Sequence, residues 1–368
     1  MNIGYLHVDY EEWTDGTYNT QEIGLAKAFE KLGHKTTIIY WVDKSSDKCF
    51  KEVNVTENVK KVYLPTLHIK HHVFFNVNLL KKYNFDLIHI QGDNLIYVPF
   101  VVNFCKKNNI DYYCYVGTIW SSNSNSLYKK IMNLLVYGNL LSYKKSRVLV
   151  KNDYIGQQLR DRGVRDVTVA PVGLDLSIIP NIREDKLTIK NKYGIPKDKK
   201  IIMCVSRLEI SKQPLDLFKL IPLLKDEYFI IFIGTGQLKN EFLKTKNKND
   251  LNDKFCYIES ISNTEIHKFY KISDYFVNFN ENEIFGMAIL EAMYQGSTVI
   301  AKSAPGPNCT INNGTSGFIV NSIEEMAYTI NSNKKINSID AYRHVINNFT
   351  WDGVAQSISN YYLKGVEK

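Results

Sequence analysis

What the chain lacks narrows its class first. Its six cysteines, Cys49, Cys105, Cys114, Cys204, Cys256 and Cys309, form no CxxC pair, which argues against zinc knuckles and thioredoxin-like redox sites. Scattered mostly in apolar runs, they read as buried free thiols of a reducing compartment. No apolar run approaches the roughly 18 residues of a membrane-spanning helix. The first residues, MNIGYLHVDYEEW, lack the basic-then-apolar order of a secretory signal and turn acidic quickly. The expectation is a cytoplasmic protein, with contact at the cytoplasmic face of a membrane left open. Nothing resembles a C2H2 spacing, an RNP motif or a basic zipper, so nucleic acid is not an expected partner. The full GxGxxG fingerprint and a Walker A lysine are missing. So is a DxD pair for a divalent ion, and neither metal nor cofactor is expected.

What is present fits a folded α/β protein. The 368 residues exceed what one core usually supports, so two domains are expected. Apolar residues make up 44% and charged residues 23%, which argues against disorder. The net charge of +8, from 46 basic and 38 acidic residues, tolerates anionic partners such as nucleotide phosphates or lipid head groups.

Strand-like and helix-like patterns alternate. Residues 2–8 read as a strand, 21–31 as a helix and 35–41 as a strand, with Gly16 in the loop before the helix. Strands follow at 86–91, 111–116, 147–150 and 167–170, with helices at 98–107, 126–144 and 154–163. Residues 171–198, rich in Gly, Pro and charge, read as a linker. The pattern then restarts, with strands at 200–205, 228–233, 256–258, 275–278 and 298–301. Helices are expected at 214–224, 238–246, 264–271 and 286–296. Such alternation predicts mostly parallel sheets. Ligands then bind beyond the carboxyl ends of strands, in the loops after Val8, Val116, Val205, Ile233 and Asn278.

Arg207 and Lys212 occupy the loop after KIIMCV, ahead of the predicted 214–224 helix. Two cations beside a helix N-terminus can hold a diphosphate; alternatively both are solvated loop charges. The Gly234-Thr235-Gly236 turn either admits a ligand close to the backbone or is a structural turn. Glu283 and Glu291 bracket the start of the 286–296 helix. Glu291 falls in an apolar pattern with Met287, Ile289, Leu290 and Met293, where an unpaired carboxylate is costly. Ribose hydroxyls would satisfy it, and Glu283 could accept from sugar hydroxyls. The competing reading is a surface Glu283 and a Glu291 paired within its own domain. The run SLYKKIMNLLVYGNLLSYKK, Ser126 to Lys145, is either a surface for an anionic membrane or a core helix with a lysine-rich exposed face.

The E-x7-E segment from Glu283 to Glu291, with its FG and EAM residues, resembles the motif of the retaining GT-B glycosyltransferases of family 4. Val205-Ser206-Arg207-Leu208 with Lys212 resembles that family's G-R-L…K segment, Ser206 replacing the usual Gly. Ala170 to Asp175 resembles its P-N-G-V-D linker. Gly33-His34, His89, Asn313 to Val320 and Phe349-Thr350-Trp351 match further family patterns.

The resemblance implies an α/β GT-B fold, two Rossmann-like domains facing a central cleft. Residues 1–175 would form the acceptor side, with 350–368 packing back on it, and 176–349 the donor side. It implies an enzyme that moves a hexose or N-acetylhexosamine, with retention, from a nucleotide sugar to a glycan or lipid-linked saccharide. That acceptor would belong to glycolipid or surface polysaccharide synthesis. The alternatives are a sugar-nucleotide epimerase of the same fold or a non-catalytic nucleotide-sugar-binding subunit.

Glu291 would hold the donor ribose, Glu283 the sugar, and Arg207 and Lys212 the diphosphate. Glu283, Arg207 and Lys212 would carry the catalysis. Gly234, Gly236, Phe285, Gly286, Met287 and Ala288 would complete the donor site through backbone groups. Gly16, with Thr17 beside it, and Thr118 would stand on the acceptor side. Many members carry His-Gly where this chain reads Tyr115-Val116-Gly117-Thr118, leaving Thr118, Tyr115 and His7 as replacements for that His. Gly306-Pro307-Asn308 resembles a G-P-x-E segment of UDP-sugar users, with Asn308 for the acidic residue, and UDP is favoured over GDP.

Overall fold

The computed structural model describes residues 1–7, 20–69, 72–93, 95–120, 126–251 and 253–364. They fall into two compact units, one of residues 1–7, 20–173 and 351–364, the other of residues 174–350.

The first unit is built on the strands β1 (Asn2–Leu6), β2 (Lys35–Val42), β3 (Glu52–Asn54), β4 (Val59–Pro65), β7 (Leu87–Gln91), β8 (Asp111–Val116), β9 (Val148–Val150) and β10 (Val167–Val169). They form one sheet in the order β10-β9-β8-β7-β1-β2-β4-β3. Neighbours pair in parallel except β3 with β4. A separate hairpin joins β5 (Leu67–Ile69) and β6 (His72–Phe74). The central strands are buried along most of their length, as parallel strands covered on both faces must be. Leu6, Ile39, Trp41, Ile88 and Ile90 share one buried core with Val98, Val101 and Val102 of the helix Val98–Lys107.

The chain returns to this unit at its end. The helix Trp351–Lys364 buries Trp351, Val354, Ala355 and Ile358. Asp352 pairs with Lys31 at 2.8 Å, His34 meets Ser359 at 3.1 Å, and the Tyr362 hydroxyl donates to the Tyr112 carbonyl at 2.9 Å. Gly33, at φ +78°, closes the first helix, and His34 behind it is buried. That geometry accounts for the Gly-His pair: a left-handed stop followed by a side chain that reaches the last helix.

The second unit holds β11 (Lys200–Val205), β12 (Tyr228–Ile233), β13 (Phe255–Ile258), β14 (Tyr275–Asn278), β15 (Thr298–Lys302) and β16 (Phe318–Val320). All are parallel, in the order β13-β12-β11-β14-β15-β16. The chain runs outward from β11 to β13, then restarts at β14 on the other side of β11. The β11/β14 boundary is therefore the switch point at which open α/β sheets bind ligands.

Four segments differ from the pattern read in sequence. The 126–144 helix is two helices, Ser126–Leu135 and Tyr137–Tyr143. Val136 leaves helical geometry at ψ 0°, Gly138 lies against Pro99, and the Asn139 amide donates to the Leu95 carbonyl at 2.9 Å. Tertiary anchoring of the second piece breaks the helix. The 171–198 linker contains a helix, Lys186–Lys192, capped by the Asp185 side chain on the Thr188 N–H and seated through buried Ile189. The 214–224 helix is a 3-10 turn (Pro214–Asp216), one α turn (Leu217–Leu220) and another 3-10 turn (Ile221–Leu223). Pro222 lacks the N–H that a continuous helix needs. Between the strands read at 35–41 and 86–91, where the sequence reading assigns no element, lie β3 to β6 and the 3-10 helix Val77–Tyr83.

The final helix is integral to the first unit, so Trp351→Ala should destabilise it by about 3–5 kcal/mol. Lys31→Ala, at an exposed ion pair, should cost no more than about 1 kcal/mol. Urea unfolding followed by fluorescence and circular dichroism checks both.

Candidate active site

In the second unit, four loops leave the carboxyl ends of β11, β12, β14 and β15, and they are tied to one another. The loop after β11 runs along the turn after β12. Ser206 N–H donates to Ile233 O at 3.1 Å, Leu208 N–H to Thr235 O at 2.8 Å, and Leu238 N–H to Leu208 O at 2.8 Å. This contact explains the two glycines. A Cβ at Gly234 would stand 1.9 Å from the Ser206 carbonyl oxygen, and one at Gly236 would stand 2.5 Å from that of Leu208. What comes close to their backbone is the neighbouring loop, so their absent side chains are explained by packing.

Lys212 ends the 3-10 turn Ile210–Lys212, and Gln213 after it adopts the left-handed region at φ 51°. The expected helix start beside Lys212 is thus a short 3-10 turn, too brief to supply the summed dipole of a longer helix. The cations remain. The Lys212 ammonium lies 3.1 Å from a Glu283 carboxylate oxygen, both side chains being mostly buried. The Asn280 amide donates to the same oxygen at 2.9 Å. Arg207 is two-thirds exposed and reaches Glu209 at 2.8 Å. The two predicted phosphate-binding cations therefore differ. Lys212 is drawn to the carboxylate expected to bind sugar, while Arg207 extends into solvent.

Glu283 is held from behind. Its carbonyl accepts from the Gly306 N–H at 2.6 Å. A Cβ on Gly306 would meet the Phe285 nitrogen at 2.5 Å and the Glu283 oxygen at 2.8 Å. Gly286, at φ +90°, turns the chain into the helix Met287–Tyr294. Phe285 is buried edge-on against Phe349 at 6.0 Å, whereas Met287 and Ala288 are half-buried at the first helical turn. Glu291, the fifth residue of that helix, is buried and accepts from the Tyr270 hydroxyl at 3.0 Å. Burial, then the neighbouring Glu291, raises the Tyr270 pKa well above its ordinary value, so the phenol stays a donor. Part of the hydrogen bonding that a buried carboxylate requires is thus supplied from inside the fold.

In the first unit the carboxyl ends of β7, β8 and β9 meet at Asp93. Its carboxylate accepts from the N–H groups of Gly117 and Thr118, the latter at 2.9 Å, from the Gln91 amide and from Lys151 at 3.0 Å. Burial works to raise the Asp93 pKa, but Lys151 and these donors outweigh it and hold the carboxyl below its usual range. Gly117 leaves the room through which Lys151 passes, since a Cβ there would stand 2.5 Å from the lysine Cδ. His89 stacks on Tyr5 at 4.0 Å, hydrogen-bonds Tyr113 and Gln91, and is pushed by burial to a pKa of about 4. His7 lies 3.4 Å from Glu22 and against Tyr40. The Tyr115 hydroxyl donates to the Ala170 carbonyl at 3.1 Å. Of the replacements considered for the family histidine, Thr118 belongs to the Asp93 cluster, while His7 and Tyr115 are buried and hydrogen-bonded or paired. Gly16 and Thr17 lie outside the described residues.

Asp93, Lys151, Gln213, Asp216 and Lys302 had no motif to mark them. The signal for Asp93 and Lys151 is their place just after the carboxyl ends of β7 and β9, beside the loop after β8.

Because backbone of one loop fills the space beside Gly234, Gly234→Ala should destabilise the second unit by about 1–3 kcal/mol. A lowered urea midpoint with an unchanged slope would show it.

Residues 185–348 match the family model described as Glycosyl transferases group 1. The chain is 22% identical over 348 residues to an alpha-monoglucosyldiacylglycerol synthase of Streptococcus pneumoniae, covering 85% of this chain and 76% of the relative. It is 29% identical over 200 residues to a UDP-Gal:alpha-D-GlcNAc-diphosphoundecaprenol alpha-1,3-galactosyltransferase of Escherichia coli, covering 52% and 47%. Its fold superposes on a sucrose-phosphate synthase from Thermosynechococcus elongatus with a TM-score of 0.78, at 15% identity and over 100% and 99% of the two chains. Residues 185–348 belong to the glycosyl transferases group 1 family, and the chain is a glycosyltransferase of GT-B fold.

Proposed function

We propose that the chain transfers a hexose or N-acetylhexosamine from a nucleotide sugar, UDP-linked in preference to GDP-linked, to a lipid-linked or glycolipid acceptor. The observation that carries this is the Lys212–Glu283 pair at 3.1 Å, spanning the loops after β11 and β14 on either side of the switch point. A cation and a carboxylate placed there match the two needs of such a donor. Lys212 and the extended Arg207 face the diphosphate, whose leaving oxygen gathers negative charge as the glycosidic bond breaks. Glu283 accepts from a sugar hydroxyl, and Glu291, braced by Tyr270, accepts from the ribose. On donor binding, Lys212 shares its protons between Glu283 and phosphate oxygen.

Transfer proceeds with retention, by front-side attack through an oxocarbenium-like state with no enzyme nucleophile. Protein cations carry the leaving-group charge, so no metal is required. The UDP preference follows the Gly306-Pro307-Asn308 segment and the UDP-galactose named for the Escherichia coli relative.

A lipid-borne acceptor is supported by the surface of the two helices 126–135 and 137–143. Leu127, Ile131, Leu134 and Leu135 recur at helical spacing and are 50–77% exposed, as are Tyr137 and Leu141. Lys129 and Lys130 lie exposed on the first helix, with Lys144 and Lys145 exposed after the second. Between the two readings of this run, such exposure favours an apolar stripe for acyl chains, flanked by lysines for anionic head groups. The glycolipid product in the name of the Streptococcus pneumoniae relative, alpha-monoglucosyldiacylglycerol synthase, supports the same reading. Among the described residues no helix is long and apolar enough to cross a membrane.

Incubation with a panel of nucleotide sugars should release UDP faster than GDP by slow donor hydrolysis, and equally in EDTA. Release of GDP alone from GDP-mannose would overturn the donor assignment. Lys212→Ala and Arg207→Ala should each weaken UDP binding by roughly 1.5–3 kcal/mol in calorimetric titration. Wild-type protein should co-sediment with vesicles containing an anionic phospholipid. The triple variant Leu127→Ser, Ile131→Ser, Leu134→Ser should lose most of that binding while keeping its UDP affinity; equal sedimentation of both would remove the membrane surface.

A further inference from the structure

Lys302 is a charged residue at the end of an otherwise uncharged buried strand, β15, with only 9% of its side chain exposed. Its ammonium lies 2.7 Å from Glu281 and 3.2 Å from Asp216. Asp216 lies four residues after Lys212, at the end of the 3-10 turn Pro214–Asp216, and also takes Lys219 at 2.7 Å. Glu281 precedes Glu283 in the loop after β14, and its N–H donates to the Gln213 side chain at 2.9 Å. Three links therefore join the segment 207–216 to the loop 279–283. They are Lys212 to Glu283, Gln213 to the Glu281 backbone, and Asp216 through Lys302 to Glu281. Lys302 alone among these residues comes from a strand. That strand is hydrogen-bonded to β14 with Ala301 opposite Asn278, so the ammonium is delivered at a fixed register beside the loop.

The electrostatics favour the closed arrangement. Burial would lower the Lys302 pKa, but Glu281 and Asp216 outweigh it and raise it. The hydrogen bond and charge of Lys302 hold Glu281 below the usual carboxylate range. Without the ammonium, two carboxylates from different segments would be left near one another with their mediator gone, and the segments would be pushed apart.

We propose that Lys302 is a positioning residue that clamps the segment 207–216 to the loop 279–283, so that Lys212 and Glu283 are held at the spacing a nucleoside diphosphate sugar requires. This rests on the donor-site reading above. Lys302 acts through Asp216 and Glu281 and not through the donor itself.

The test uses the full chain with Lys302→Met, Lys302→Arg and the double variant Lys302→Met/Asp216→Asn. UDP affinity is measured by calorimetry and hydrogen–deuterium exchange by peptides covering 207–216 and 279–286. Lys302→Met is expected to lose at least tenfold in UDP affinity and to exchange faster in both segments, while peptides from β11 and β12 stay protected. Lys302→Arg, which keeps the charge and can bridge both carboxylates, should recover most of the affinity. If Lys302→Met proves too unstable, the double variant removes the carboxylate repulsion and should show the same loss. UDP affinity within twofold of wild type in Lys302→Met or the double variant, or exchange confined to its wild-type rate in both segments, overturns the clamp and leaves the donor site standing. A wild-type chain that binds neither UDP nor GDP overturns the donor site, and the role of Lys302 with it.

Discussion

Parallel strand pairing is the constraint from which the rest follows. In the large sheet of each unit the strands run the same way, apart from β3 at one edge, so their carboxyl ends and the loops that leave them gather at one edge of the sheet. Such sheets are covered on both faces, so the strands carry few polar side chains in their middles. Polar chemistry is pushed to the strand ends. In the second unit that edge holds Arg207, Lys212, Glu283 and Lys302; in the first it holds Asp93, Thr118 and Lys151. The strand order reverses at β11/β14, the position at which open α/β sheets bind ligands.

Charge at these edges is arranged differently in the two units. Asp93 has donors on both carboxylate oxygens and binds three loops together, a structural knot whose members satisfy one another. A buried charge of that kind is tolerated because its partners are complete. In the second unit the pairs cross between loops, Lys212 to Glu283 and Lys302 to Asp216 and Glu281, while Arg207 stays largely exposed. Those ions are set by neighbouring loops, and at Arg207 they face water. That is the arrangement from which an anionic ligand can take over a cation without unfolding its support.

Backbone packing sets how close the loops come. Gly234, Gly236 and Gly306 each stand where a Cβ would collide with main-chain atoms of the next loop. Gly234 and Gly236 let the turn after β12 approach the segment carrying Arg207, and Gly306 lets the loop after β15 approach the segment carrying Glu283. The glycines and the charged residues thus form one system, in which backbone contact decides the spacing and charge decides the contents.

Much of this was legible from residue order, because period and punctuation are local properties. The βαβ alternation marked the buried strands of both sheets, and Gly33 marked the end of the first helix. The spacing of Glu283 and Glu291 placed one carboxylate in a loop and the other on the following helix. Pairing was not legible, since no local pattern says that Lys212 meets Glu283, that Tyr270 braces Glu291, or that Lys302 joins Asp216 to Glu281. Those contacts join residues 21 to 86 positions apart, and strand order alone brings them together. The same holds where local pattern misled. The 126–144 run has the periodicity of one helix but breaks at Val136, because Asn139 and Gly138 are anchored to residues about 40 positions earlier. For the glycines after β12 local pattern left a ligand turn and a structural turn both open, and the tertiary structure adds the close approach of the loop after β11. Sequence determined which segments are strands, helices and charged loops; the tertiary structure decided which charges share a site, because only sheet order sets the distances over which they act.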